Sequence, residues 1–212
     1  MKQKKNTKEI IIDCAMDLFA SKGYEETSLR ELAEMVGIKV SSLYNHFPSK
    51  QELLICIINM YSEFISDEHF HQHNSPTFQK FLHAVTVDNL LDCMSFKFPA
   101  YQSEKYLKIY YIIMHEKYRN EVVKKYVIDN FFIRNEQYVR EIFDILNEKN
   151  LIEPVDSDLV AKTHAAIVYY WGSANMMGID GEKAFFKGND MLTTLKHFYN
   201  LILKEKKPSG SK

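Results

Sequence analysis

The chain has 212 residues, of which 46% are hydrophobic and 13% aromatic, and its formal net charge is −1. We expect a globular protein with one sizeable core and a small satellite domain. Its three cysteines, Cys14, Cys56 and Cys93, are odd in number and far apart, which argues against a disulfide framework and a thiolate metal site. Few glycines and prolines favour an all-α fold. No apolar run is continuous enough for a secretion signal or a membrane span, so a cytoplasmic protein is expected.

The first predicted helix begins near Thr7 and ends at Gly23. Apolar residues recur along it at helical spacing: Ile11, Cys14, Ala15, Leu18 and Phe19. Such a stripe is typical of a helix with one buried face. We expect this helix to cover the back of the elements that follow.

Two short helices joined by a glycine turn are predicted between Thr27 and Lys50. Ser28 and Glu31 have the spacing of a capping box, so a helix should begin there. Its apolar face is formed by Leu29, Leu32, Ala33 and Val36. The helix should end at Gly37, because glycine tolerates the positive φ of a C-terminal stop.

The second helix of the pair, from Ser41 to Phe47, should anchor itself through Leu43 and Phe47. Its outer side then carries small hydrogen-bonding side chains: Ser42, Asn45 and His46. Such a row suits a helix inserted in the major groove of DNA, where base edges present donors and acceptors. The stretch therefore predicts a helix-turn-helix.

At these residues the chain resembles the TetR family of bacterial transcriptional regulators. Gly37 and Ile38, the run SSLYNHF from Ser41 to Phe47, and Lys50 fall where the family has its turn, recognition helix and following lysine. The resemblance is continuous from about Ile10 to Leu54. Beyond that stretch, only length and an all-helical pattern agree.

The resemblance implies an N-terminal three-helix DNA-binding domain, joined by a connector helix to a larger helical domain for ligand binding and dimerisation. We place the DNA-binding domain at residues 1–53 and the second domain at 54–212. Pro48 stops the recognition helix, and the pair Ser49 and Glu52 forms a second capping-box pattern that opens the connector.

Nine residues are candidates for contact with DNA. The residues best placed for phosphates are Thr27, Ser28, Tyr44, His46 and Lys50, and those best placed for bases are Lys39, Ser41, Ser42 and Asn45. Lys39 and Val40 depart from the family pattern at the start of the recognition helix, so the bases it reads are not carried over from the family. For Lys50 the alternative is a solvated surface lysine, and we favour phosphate contact.

Five further helices are predicted over 76–94, 100–115, 120–150, 157–177 and 189–204. The last carries one apolar stripe on Leu192, Leu195, Tyr199 and Ile202 and another on Met191, Thr194, Phe198 and Leu201. A helix that is apolar on two sides needs two partners. We expect its own domain to supply one and a second copy of the chain the other; the alternative is a monomer that buries both faces.

The resemblance implies the same homodimer, because the family dimerises through a bundle of its last two long helices. Here those are the helices near 157–177 and 189–204.

Aromatic and methionine side chains crowd the middle helices, which suits a pocket for a small apolar or amphipathic effector. The candidates are Phe81, Tyr110, Met114, Phe131, Asn135, Tyr138, Tyr169 and Met176. For each residue alone, core packing is the alternative, but the resemblance implies that some line a pocket.

His69 and His73 have an i, i+4 spacing that suits a metal. Solvated histidines are ordinary at a helix end, so no metal and no cofactor are expected.

Together these observations predict a homodimeric, ligand-responsive regulator, not an enzyme and not a membrane protein, and the resemblance implies a repressor that its ligand releases. It should bind a near-palindromic double-stranded DNA operator with half-site centres roughly 34 to 36 Å apart. One alternative is the same fold acting through a protein partner instead of DNA. Another is a helical enzyme, but the sequence contains no GxGxxG, Walker lysine, HExxH or CxxC motif that would select one.

Overall fold

A computed structural model of the chain describes residues 6–65, 76–94, 103–176 and 188–203. The helices over these residues are α1 (Thr7–Lys22), α2 (Leu29–Val36), α3 (Val40–His46), α4 (Lys50–Ile65), α5 (Pro76–His83), α6 (Val87–Cys93), α7 (Glu104–Glu116), α8 (Glu121–Val127), a π segment (Ile128–Ile133), α9 (Arg134–Glu148), α10 (Ser157–Met176) and α11 (Gly188–Ile202). No strand occurs in these ranges, and the predicted all-α fold is confirmed. None of the described helices is long and apolar enough to cross a membrane.

The backbone forms two compact units that do not follow chain order. The first comprises Met1–Ser66 with Ala100–Val127, and the second comprises Asp67–Pro99 with Ile128–Lys212. The first unit thus contains α7 and α8 in addition to the four N-terminal helices. The sequence predicts that a separate DNA-binding domain ends between residues 53 and 54. The two compact units do not test this boundary, so it stays a prediction.

In the first unit, α1 packs against α2, α4 and α7. Of the stripe predicted on α1, Ile11, Ala15, Leu18 and Phe19 are buried, and Cys14 is partly buried. The facing helices contribute the fully buried Leu32, Leu53, Leu54, Ile57, Ile109 and Ile113. Burial of apolar surface on these helices therefore holds α1 behind α2, as the sequence predicts.

Side-chain caps determine where the first two helices begin. The Asn6 side chain accepts from the Glu9 N–H at 2.9 Å, and the Glu9 carboxylate accepts from the Asn6 N–H at 3.0 Å. This capping box was not part of the sequence prediction. At α2, Ser28 accepts from the Glu31 N–H at 3.1 Å as predicted. The Glu31 carboxylate, however, pairs with Lys22, so the reciprocal half of the predicted box is replaced by an ion pair.

The second unit packs α9 along α10, and α11 against both α10 and α6. Its core includes Phe81, Leu90, Ile142, Phe143, Leu146, Ala161, Leu195 and Tyr199. Within it, the Tyr199 hydroxyl and the His164 Nδ1 are 2.7 Å apart and hydrogen bonded. Burial lowers the pKa of His164 to about 4, so the imidazole is neutral at pH 7.

The prediction of one helix over 76–94 is wrong, because the chain turns between α5 and α6. Thr86 has an extended backbone, and its side chain accepts from the Asn89 N–H at 3.2 Å. The Asn89 side chain in turn donates to the Ala84 carbonyl at 2.8 Å. These bonds offer the backbone an alternative to a continuous helix, so Thr86 caps a new one.

The helix predicted over 120–150 is not a single α-helix. Residues Ile128–Ile133 are wound as a π-helix between α8 and α9. A π turn accommodates an extra residue, so the side chains after it are rotated relative to a continuous 3.6-residue period. Ile128 and Ile133, the first and last residues of the π segment, are 43% and 48% exposed.

Candidate nucleic-acid interface

Helix α3 exposes the row of side chains that the sequence predicts for DNA contact. Leu43 is fully buried and Phe47, just after the helix, is 4% exposed. On the other side, Ser41, Tyr44, Asn45 and His46 are exposed and Ser42 is partly exposed. Two apolar anchors thus fix the helix and leave its polar side chains to solvent.

The residues before α3 set its start. Gly37 ends α2 in the left-handed region with φ 77°, and the Ile38 N–H donates to the Ala33 carbonyl at 3.0 Å. A side chain at Gly37 would strain this stop, as the sequence predicts. Lys39 is the N-cap residue of α3, makes no side-chain cap bond, and is exposed. An ammonium has no acceptor for the free N–H groups at a helix start, so Lys39 leaves this end of α3 without a side-chain cap.

The turn between α1 and α2 holds Thr27 and presents Ser28. Thr27 is 2% exposed, and its hydroxyl donates to the Gly23 carbonyl at 2.8 Å. Ser28 is exposed. Because the one hydroxyl proton of Thr27 is already donated inside the turn, this side chain shapes the turn in the free protein.

Lys50 also contacts this turn. Its ammonium donates to the carbonyls of Tyr24 at 2.8 Å, of Glu25 at 3.2 Å and of Thr27 at 3.2 Å. The same nitrogen lies 4.2 Å from the centroid of the Tyr24 ring, a cation–π contact. An ammonium has three donors. Lys50 thus binds three backbone carbonyls of the turn, a role that the sequence motif does not reveal.

Sequence reasoning missed a further side chain at this turn, Glu116 at the end of α7. Glu116 is 4% exposed, and its Oε1 accepts from the Tyr24 N–H at 3.1 Å. Burial raises the pKa of the Tyr24 hydroxyl, with further contributions from the negative charges of Glu25 and Glu116. No local pattern signals this contact, because its two residues lie 92 positions apart.

The eight pocket candidates are divided between the two units. Tyr110 and Met114 lie in the first, where both are buried. Tyr61 stacks on Tyr110 with ring centroids 6.0 Å apart and on Tyr106 at 4.7 Å. The Lys117 ammonium lies 3.9 Å from the Met114 sulfur. These contacts place Tyr110 and Met114 in a packed region of the first unit.

The other six candidates lie in the second unit. Phe81 and Tyr138 belong to its core, and the Tyr138 hydroxyl donates to the Cys93 carbonyl at 3.1 Å. The remaining candidates whose side chains are described, Phe131, Asn135 and Tyr169, are partly exposed. The ring of Tyr169 lies 5.4 Å from that of Phe132. The side chain of Met176 lies outside the described residues. An effector pocket therefore stays a prediction.

Both helices predicted for dimerisation expose large apolar side chains in the single chain. Leu159 and Tyr170 on α10 are 62% and 60% exposed, and Leu201 on α11 is 59% exposed. Leu159, Thr163, Ala166 and Tyr170 follow one another at i, i+4, i+7 and i+11 along a partly or fully exposed face of α10. This face points away from the buried residues of α10, such as Val160, Ala161 and His164.

His69 and His73 lie outside the described residues. Over the ranges that the structure describes, no group of three or more histidine, cysteine or acidic side chains is arranged to hold a metal ion.

Known sequences place the N-terminal region among regulators. Residues 11–57 match the family model described as bacterial regulatory proteins, tetR family. The uncharacterized HTH-type transcriptional regulator YuxN of Bacillus subtilis is 42% identical over 57 residues, which are 27% of this chain and 20% of that protein. IcaR of Staphylococcus epidermidis, the HTH-type negative transcriptional regulator of the biofilm operon icaADBC, is 31% identical over 103 residues, 49% of this chain and 51% of IcaR. The chain thus spans about half or less of these curated relatives.

Solved structures extend the likeness of fold to most of the chain. A SmeT–triclosan complex superposes with a TM-score of 0.72 and 18% identity, covering 97% of both chains. AibR in complex with isovaleryl coenzyme A and operator DNA gives a TM-score of 0.59 and 18% identity, covering 95% of this chain and 100% of AibR. Residues 11–57 thus match the family of bacterial regulatory proteins, tetR family, and the chain shares the fold of these solved structures.

Proposed function

We propose that the chain is a DNA-binding transcriptional regulator, a homodimeric repressor that binds a near-palindromic operator and is released by a small effector. The observation that carries the proposal is the exposed polar row on α3, held between the buried anchors Leu43 and Phe47. A helix presented in this way can enter the major groove without losing its own packing. The relation to IcaR, a negative regulator by name, supports repression.

Contacts with DNA divide into base readout and phosphate anchoring. Ser41, Ser42 and Asn45 on α3, with Lys39 just before it, are proposed to meet base edges. Ser28, Tyr44 and His46 are proposed to meet phosphates, and all three are exposed. Thr27 and Lys50 join the phosphate set only if they leave the turn contacts that they make in the free chain. Phosphate contacts would set the register of the protein on the duplex, and base contacts its sequence preference.

Dimerisation is proposed to cover the exposed apolar face of α10 together with Leu201 of α11. Large apolar side chains grouped on one face favour contact with another protein surface. A two-fold axis would then relate two recognition helices, which is why the operator should be a near-palindrome.

The proposed effector is a small apolar or amphipathic molecule. SmeT and AibR, which share this fold, have been solved with triclosan and with isovaleryl coenzyme A. An effector shifts a conformational equilibrium only by its differential affinity for the two states. A change from mostly DNA-competent to mostly incompetent requires about 5.5 kcal/mol, comparable with the burial of roughly 200 Å² of apolar surface before binding costs are counted.

Gel-shift titration tests the DNA-binding function. The full chain is titrated against labelled duplexes that tile the region upstream of its own gene, with a shuffled duplex of equal composition as the control. We expect one duplex to shift at a concentration at least about 1,000-fold lower than the shuffled one, as for specific against non-specific binding. Equal, weak retention of all duplexes would refute sequence-specific DNA binding and favour a protein partner.

Calorimetry tests release by an effector once a compound that releases the duplex is found. By reciprocity, the duplex must weaken binding of that compound by the same factor by which the compound weakens DNA binding. Equal affinities with and without the duplex would refute the allosteric part of the proposal and leave DNA binding intact.

A further inference from the structure

Glu116 is a buried carboxylate to which the proposed function assigns no role. It is 4% exposed, and its Oε1 accepts from the Tyr24 N–H at 3.1 Å. Its Oε2 is buried without a hydrogen-bond partner. Burying a carboxylate with one oxygen unsatisfied is unfavourable. Apolar packing alone therefore does not account for a glutamate here, and its bond to Tyr24 gives it a specific role.

The Tyr24 N–H belongs to the turn that connects α1 with α2. Gly23 opens this turn with φ 95°, a conformation that favours glycine. Ser28, the N-cap of α2, closes it. Lys50 of α4 binds the carbonyl side of the turn, and Glu116 of α7 binds its N–H side. Two charged side chains from different helices thus hold the same few residues.

A shift of this turn would reach the recognition helix. The turn leads directly into α2, and α2 packs against α3. Ser28 is exposed at the start of α2, where a helix N-terminus favours an anionic group such as a phosphate. The turn therefore sets the position of a proposed phosphate contact and of the helix that supports α3.

We propose that Glu116 is a positioning residue for DNA binding, which fixes the α1–α2 turn through the Tyr24 N–H and so couples the end of α7 to the helix-turn-helix. This inference rests on the proposed DNA-binding function. Within the first unit, any displacement of the end of α7 is transmitted to α2 through this hydrogen bond. The acceptor oxygen and its reach matter more than the negative charge, since the other oxygen has no partner.

Three variants at Glu116 separate reach from charge. Glu116→Gln removes the charge and keeps an acceptor at the same distance from Tyr24. Glu116→Asp keeps the charge and shortens the side chain by one methylene, so the bond is lost or lengthened. Glu116→Ala removes both. Glu121→Ala serves as the matched control, because Glu121 is exposed in the same unit and its carboxylate pairs locally with Lys124.

Hydrogen exchange of the Tyr24 amide reports directly on the contact. In the unmodified chain and in Glu116→Gln we expect the Tyr24 amide to be protected from exchange. In Glu116→Asp and Glu116→Ala we expect it to exchange at least about tenfold faster. The Val155 amide in the second unit, which donates to the Asn147 side chain at 3.1 Å, provides an internal reference that should not change. Equal protection of Tyr24 in all variants would overturn the proposal, because the bond would then not hold the turn.

Binding to the upstream duplex identified by gel shift is the functional readout. We expect Glu116→Asp and Glu116→Ala to bind about tenfold more weakly, and Glu116→Gln and Glu121→Ala to bind like the unmodified chain. If Glu116→Ala fails to fold, the other two variants still test the positioning role. We expect normal binding by Glu116→Gln and weaker binding by Glu116→Asp. Unchanged binding by Glu116→Asp with a deprotected Tyr24 amide overturns the positioning role alone. Failure of the unmodified chain to bind any duplex overturns the DNA-binding function itself, and the positioning role with it.

Discussion

The helix-turn-helix region of the first unit and the core of the second unit use their polar side chains in opposite ways. In the first, the polar row of α3 faces solvent, and the charged Lys50 and Glu116 bind the backbone of a single turn. In the second, Tyr138 and Tyr199 donate or accept hydrogen bonds inside the core, with Cys93 and His164 as partners. A surface meant for a partner leaves polar groups available, whereas a core satisfies them internally. The first pattern is therefore typical of a surface that binds a partner, as proposed for α3, and the second is typical of a packed core.

The largest expected effect concerns the core of the second unit and its response to acid. The pKa of His164 is about 4 in the folded chain because of burial, against about 6.5 when unfolded. Between these values the unfolded state binds more protons, so stability is full above pH 6.5 and falls as the pH decreases towards 4. The linked loss should reach about 3 kcal/mol.

Urea unfolding at pH 7 and pH 4.5 measures this loss. His164→Gln should lose less stability than the unmodified chain, by about 2 kcal/mol over this interval. His115→Gln is the matched control, because His115 is exposed on α7. The same acid sensitivity in all three proteins would mean that His164 is not kept neutral by its surroundings, and the contrast between the units would lose its main example.

A second prediction separates binding from stability in the first unit. Asn45→Ala should weaken binding to the upstream duplex by about 1–3 kcal/mol, the range for a bidentate base contact. Its free energy of unfolding should change by less than about 0.5 kcal/mol, because Asn45 is exposed. Fluorescence anisotropy at one fixed salt concentration and urea unfolding provide the two measurements.

The control for Asn45 is Gln137→Ala, which removes an exposed carboxamide from α9 in the second unit. It should change neither quantity. A loss of stability in Asn45→Ala as large as its loss of affinity would show that α3 is held by its outer face as well, against the division between anchors and binding row.

The smallest expected effect is a difference in salt dependence. The sequence motif predicts a phosphate contact for Lys50, so that Lys50→Ala would make the salt slope shallower by about one unit. The three carbonyl contacts of its ammonium lead us to expect weaker binding with an unchanged slope. The salt slope of Lys50→Ala is compared with that of Lys39→Ala, which removes an exposed lysine that makes no cap bond. A slope that becomes shallower by one unit in Lys50→Ala would return Lys50 to the phosphate set.

Local signals were sufficient for the helix-turn-helix. The cap at Ser28, the left-handed Gly37 and the anchors Leu43 and Phe47 all lie within a few residues of what they control. Caps and helical periodicity act through neighbours in the chain, so they can be read without knowing the fold. The caps at Thr86 and Asn6 are also local, but neither sequence has the Ser/Thr-x-x-Glu pattern of a capping box.

Only the tertiary structure shows which polar side chains already make contacts within the folded chain. The sequence determined that the chain is helical, that α3 is anchored by Leu43 and that polar residues share its outer face. It did not determine that Lys50 holds the α1–α2 turn, or that Glu116 meets Tyr24 across 92 positions. Nor did it distinguish core from pocket among the aromatic residues, because an aromatic side chain has the same helical spacing in either place. Contacts between distant segments depend on how the helices pack, and no short sequence pattern encodes that geometry.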